Sequence, residues 1–214
     1  MTAYTLTTGL VLTGALIGPV TAWISVWLPQ KGRPGIRRIA ALAIAAAMVG
    51  GWSALALPAP VAALLTALLG WQLLLLAVVD GENFWLPDIL TWTLAVSGVL
   101  AAVILQDRGI ADAIIGAVAG FAGLWLLAFV YRKTRGRQGL GGGDPFMLAG
   151  AGAWVGWIGL PSVLLWAAVG GLSLVVARAL TGRKVSGTDR LPFGVFLAIG
   201  LWLTWLLGPI GLWR

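Results

Sequence analysis

Four carboxylates are the groups in this sequence best placed to do chemistry. Three fall within nine residues, Asp80, Glu82 and Asp88 in DGENFWLPD, and the fourth, Asp144, follows three glycines in GLGGGDPF. The chain has seven acidic residues in all, and neither cysteine nor histidine. Disulfides, Cys/His zinc sites, haem attachment and any nucleophile or base built from those residues are therefore excluded. Carboxylate chemistry remains. Two carboxyls held close together where water is scarce cannot both ionise cheaply, so they share a proton. The ionised one can then activate water while the other protonates a carbonyl oxygen, as in aspartic proteases. Glycines ahead of Asp144 would let backbone or an extended substrate approach where side chains would obstruct it. The same stretch also reads as a loop with Asp144 as an N-cap and Pro145 at the first helical position. Asp107 and Asp112 beside Arg108, and Asp189 beside Arg190, read as solvated loop charges.

These acids need a scaffold, and composition says which kind. Of 214 residues, 60% are hydrophobic and 10% charged, and the mean hydropathy is +0.97. Soluble domains run to roughly a quarter charged residues. Apolar windows of the length a bilayer requires recur along the whole chain. They do not alternate as membrane barrel strands do. The expectation is an all-α polytopic membrane protein, one domain over 1–214. Eight spans are predicted, at about 5–28, 39–57, 61–79, 89–105, 113–131, 145–158, 161–180 and 193–212, with seven as the rival count. The first charge is Lys31, so the N-terminal run reads as a retained span and not a cleaved signal.

Charge orients these spans. Lys31, Arg33, Arg37, Arg38, Arg132, Lys133, Arg135, Arg137, Arg178, Arg183, Lys184 and Arg190 fall on one side, against Arg108 and Arg214 on the other. The positive-inside rule puts the basic loops in the cytoplasm and both termini outside. Asp80, Glu82, Asp88 and Asp144 then share the cytoplasmic level. Trp27, Trp85, Trp157 and Trp213 near span ends suit an interfacial belt, while Trp125 packs between helices or faces lipid. The spacings Gly116–Gly120 and Gly152–Gly156 suit close helix approach. Two other chemistries fit the acids. All four could hold Mg²⁺ in a membrane phosphotransferase, with arginines on a diphosphate, or they could line an ion path in a transporter.

The motifs resemble those of the bacterial type IV prepilin peptidases, membrane aspartic proteases of the GxGD type. Asp80, five residues, then Leu86-Pro87-Asp88 and Thr91 match one signature. Gly141-Gly142-Gly143-Asp144 with Leu148-Ala149, Gly152-Ala153-Trp154 and Gly156-Trp157 match the second. Pro192-Phe193-Gly194-Val195-Phe196-Leu197-Ala198 matches a third, and Gly18 through Leu28-Pro29 is similar to the family's start. The resemblance implies a catalytic pair, Asp80 and Asp144, with Asp88, Pro87, Gly141 and Gly143 supporting; Asp88 also suits a helix cap. Glu82 and Phe146 are candidate substrate contacts. It further implies cleavage of the basic leader of type IV prepilin or pseudopilin precursors, after a glycine, at the inner face of the bacterial cytoplasmic membrane. Membrane lipid is the other partner, nucleic acid is not expected, and the oligomeric state is open.

The sequence departs from the family pattern at two places. Only QKGRPGIRRI stands where many members carry a cysteine zinc domain, so no zinc is expected, and S-adenosylmethionine is relevant only if methyl transfer accompanies cleavage. Phe146 replaces a usual lysine, which leaves open an altered pH optimum, altered substrate choice or reduced activity.

Overall fold

The computed structural model describes residues 3–57, 59–106, 109–136, 141–181 and 191–210. Asp107, Arg108, Arg137, Arg183, Lys184, Asp189, Arg190, Trp213 and Arg214 lie outside the described residues. Within them the regular structure is all helical: α1 (Ala3–Trp27), α2 (Ile36–Ala56), α3 (Pro60–Asn83), α4 (Asp88–Leu105), α5 (Ile110–Arg135), α6 (Asp144–Leu180) and α7 (Phe193–Leu207). The first six are long and apolar enough to cross a membrane, and α7 is shorter. Large apolar side chains point outward as well as inward, among them Leu16, Ile44, Val118 and Leu172. Lipid, not water, is the solvent that such a surface suits. The protein is a multi-pass membrane protein.

Contacts divide the chain into two compact units, residues 1–78 and 79–214. In the first, α1 and α2 pack backbone to backbone. A methyl group on Gly14 or Gly18 would run into the main chain of α2, and one on Gly50 into the carbonyl of Leu10. Trp71 of α3 donates its indole N–H to the Ala46 carbonyl at 2.9 Å, and packs on a core of Leu6, Leu10, Ala54, Ala63 and Ala67. At the opposite end of α1, the Arg38 guanidinium donates to buried Ser25 Oγ at 2.8 Å.

The second unit is organised around α6, which is not one straight helix. Gly156 breaks it with φ 70° and ψ 176°, a conformation that glycine adopts without steric cost. Leu86 touches both Gly143, which precedes α6, and Gly194, at the start of α7. Further along, Trp154 meets Trp205 edge-on at 5.2 Å. The limb 144–155 therefore runs alongside α7 in the same direction. Beyond the break the order inverts, with Val163 and Ala167 facing Gly200 and then Gly170 facing Phe196. The second limb thus runs antiparallel to the first. The sequence predicts two spans here with the break near Gly159-Leu160-Pro161; the chain turns at Gly156 instead, and Pro161 lies inside the second limb.

Close packing fixes the first limb. Gly116 of α5 and Gly152 are in backbone contact, and Gly120 lies on the Leu148 carbonyl. Gly98 of α4 meets Ala153 and Trp154, while the Trp154 indole N–H is shared between the Leu94 carbonyl at 3.1 Å and Ser97 Oγ at 3.2 Å. Small residues thus let helices touch where a larger side chain would hold them apart.

Two sequence readings are corrected by this unit. The predicted third span ends at residue 79, but α3 continues to Asn83 and carries Asp80 in its last turn. Asp112, read as a solvated charge, is half-buried and its carboxylate lies against Gly156.

Candidate functional site

Among the described residues, Asp80 and Asp144 are the only buried acids, at 4% and 3% exposure. Both belong to the second unit. Burying a carboxylate is costly unless it is hydrogen-bonded or neutralised, so what surrounds each one matters.

Asp80 is delivered by the end of α3. The helix closes with Phe84 in the left-handed region at φ 51°, its N–H donating to the Asp80 carbonyl at 2.8 Å. Asn83 folds back, Nδ2 donating to the Val79 carbonyl at 2.8 Å. A short connection leads to Pro87, the N-cap residue of α4, whose backbone is extended. The Asp80 side chain turns toward α7, where its Oδ2 accepts the backbone N–H of Val195 at 3.1 Å. Gly194 lies directly against the same carboxylate.

Asp144 stands at the first position of α6. Gly143, not Asp144, is the N-cap residue, and no side-chain cap bond forms. Instead the Asp144 Oδ2 accepts the Gly141 N–H at 2.8 Å, while the Asp144 N–H donates to the Gly141 carbonyl at 3.3 Å. This reciprocal pair folds the glycine loop over the acid. Leu86 lies between Gly194, which abuts the Asp80 carboxylate, and Gly143, which precedes Asp144, so the two acids belong to one region of the unit.

The other sequence-predicted residues fall around this pair unequally. Pro87 is buried, whereas Glu82 and Asp88 are exposed. Asp88 begins α4 beside the N-cap Pro87, and no side-chain cap bond is made there; its charge favours the positive end of that helix. Its predicted capping role is therefore corrected. Phe146 is half-buried and its ring packs on Phe121 at 5.0 Å and Trp92 at 6.2 Å, so it contributes to helix packing rather than to the pair. Among the described residues no three of His, Cys, Asp and Glu gather into a group that could hold a metal ion. The four acids proposed to share Mg²⁺ are thus split into a buried pair and two surface groups.

Sequence reasoning gave no role to Leu86 or Gly194. Leu86 is buried and fills the space between Gly143 and Gly194. Both residues sit inside motifs noted in the sequence, but only the folded chain shows that those motifs converge.

Known proteins bear on this arrangement. A family described as the Type IV leader peptidase family matches residues 67–176, a range that includes both buried acids. A protein of Aeromonas hydrophila named "Prepilin leader peptidase/N-methyltransferase" is 36% identical over 203 residues, covering 89% of this chain and 66% of its own. A protein of the same name from Aeromonas salmonicida is 34% identical over 209 residues, with 89% and 68% covered. Another from Pectobacterium carotovorum is 41% identical over 129 residues, with 60% and 46% covered. The chain thus spans about two-thirds of the length of the two Aeromonas relatives. No solved structure matches it.

Proposed function

The chain belongs to the type IV leader peptidase family, and on that footing we propose that it is a membrane aspartic endopeptidase acting on type IV prepilin-like or pseudopilin precursors. It removes the leader after a glycine at the cytoplasmic face of the bacterial inner membrane. The observation that supports this reading is the burial of Asp80 and Asp144, the only buried acids among the described residues, on separate elements of one compact unit.

In the proposed mechanism one carboxyl is ionised and the other protonated. The ionised carboxylate takes a proton from water as the water oxygen attacks the scissile carbonyl carbon. The protonated partner donates to the carbonyl oxygen, giving a neutral tetrahedral diol. Collapse breaks the C–N bond, a proton passes to the leaving amine, and the pair returns to its starting charge. Main-chain donors fix both acids before substrate arrives, so little reorganisation is needed during the reaction. Gly141 and Gly142 lie exposed beside Asp144 and leave room for an extended peptide. Glu82 and Asp88, exposed near the pair, attract the basic leader despite the net charge of +7. The basic loops orient this end of the molecule to the cytoplasm, with both termini outside. Methyl transfer, present in the relatives' name, forms no part of this proposal.

The test is co-expression with candidate prepilins, followed by mass measurement of the product. Asp80→Asn and Asp144→Asn each abolish the mass loss that ends after glycine, while the protein still accumulates in the membrane. Normal cleavage by either variant would sink the reading.

A further inference from the structure

We propose that the first turn of α7 is a third component of the site and that Gly194 is a positioning residue for Asp80. This rests on the peptidase reading and goes beyond the two aspartate motifs. The Val195 N–H reaches Asp80 Oδ2 at 3.1 Å across 115 positions of sequence. That N–H lies in the first turn of α7 and is shared, donating to the Pro192 carbonyl at 3.2 Å as well as to Asp80. The bond depends on a close approach that only glycine permits at position 194. A methyl group there would lie 2.8 Å from Asp80 Oδ2, 3.0 Å from its Cγ and 3.0 Å from Leu86 Cδ1. Leu86 is itself held against Gly143, at 2.7 Å from the position of an added methyl. The Leu86 Cδ1 can turn away about its fixed Cβ, but Asp80 Oδ2 is the nearest atom to the added methyl, so the carboxylate must move as well.

Displacement of a catalytic group by about 1 Å costs on the order of a hundredfold in rate. The role therefore separates from a general packing role in a defined way. Gly170 supplies the control: it also packs on α7, with an added methyl 3.1 Å from the Phe196 ring, but its near contacts do not include Asp80. Val195→Pro supplies a second variant, since proline at this third helical position removes the N–H and with it the bonds to Asp80 and to Pro192.

Steady-state cleavage of a prepilin by the full-length protein in lipid is the main measurement. Gly194→Ala and Val195→Pro each lower kcat about a hundredfold with KM held within about twofold, and Gly170→Ala leaves both constants near the starting values. A readout independent of catalysis accompanies it. The chain has no cysteine, and a methyl on Gly81 would lie 3.4 Å from Val195 Cγ2. The double variant Gly81→Cys/Val195→Cys therefore cross-links on oxidation if α7 docks on the end of α3. Wild-type kcat in Val195→Pro or Gly194→Ala, equal loss in Gly170→Ala, or failure of the cross-link each overturns the proposal. Cleavage by Asp80→Asn would instead overturn the peptidase reading and leave the cross-link standing.

Discussion

Leu86 lies directly against Gly143, with an added methyl on the glycine falling 2.7 Å from the Leu86 Cβ. Gly143→Ala therefore pushes the Asp144 loop away from Leu86. Cleavage is expected to fall at least about tenfold, because reacting groups tolerate little misplacement. Leu86→Ala acts oppositely by opening a cavity, at a cost of about 2–5 kcal/mol. A melting curve in detergent read beside the cleavage rate separates the two: Gly143→Ala loses mainly rate, Leu86→Ala loses both.

Chelation distinguishes the carboxyl pair from metal-assisted chemistry. EDTA at millimolar concentration is expected to leave the rate of prepilin cleavage unchanged, since a proton-sharing pair needs no Lewis acid. Loss of activity that Mg²⁺ or Zn²⁺ restores would contradict the proposed mechanism.

Glu82 and Asp88 are exposed, so their effect on a basic leader acts through water. Glu82→Gln/Asp88→Asn is expected to raise KM by about two- to tenfold, the range that weak surface charge pairs supply, with kcat little changed. Added salt should erase the difference. A fall in kcat with constant KM would assign these acids to the chemistry instead.

At Gly156 the backbone has φ 70°, and an added methyl would run into the Asp112 carboxylate. Gly156→Ala is expected to cost about 1–3 kcal/mol from the backbone alone, with the collision adding to it. Asp112→Ala in the same chain should recover the second part and not the first. Thermal unfolding of the single and double variants checks this; equal melting points for both would show that the carboxylate is irrelevant.

Much of the architecture was legible because bilayer thickness imposes it. Spans two and four were placed closely, since their apolar runs end at turn residues. The reversal inside α6 was expected near Pro161, the stronger sequence punctuator. It occurs at Gly156 because the turn needs φ 70°, which proline cannot adopt. Asp80, Glu82, Asp88 and Asp144 stood out together as carboxylates that loop solvation did not require, and the family resemblance alone singled out Asp80 and Asp144 among them. Neither the contact of Val195 with Asp80 nor that of Leu86 with two glycines follows any period along the chain. Such contacts depend on how helices from distant sequence meet. The N-cap roles expected of Asp88 and Asp144 failed because each acid sits one place inside its helix, after Pro87 and Gly143.

Both carboxyls are held by main-chain N–H groups, those of Gly141 and Val195. Every amino acid except proline carries that donor, so the identity of residue 195 is almost free as far as the bond is concerned. A saturation-mutagenesis map of this site should therefore look inverted from that of a side-chain network. The donor position would tolerate most substitutions and reject proline, whereas sensitivity would concentrate where the requirement is for no side chain at all. What is encoded at Gly143 and Gly194 is an empty volume, and it is lost by gaining a single carbon.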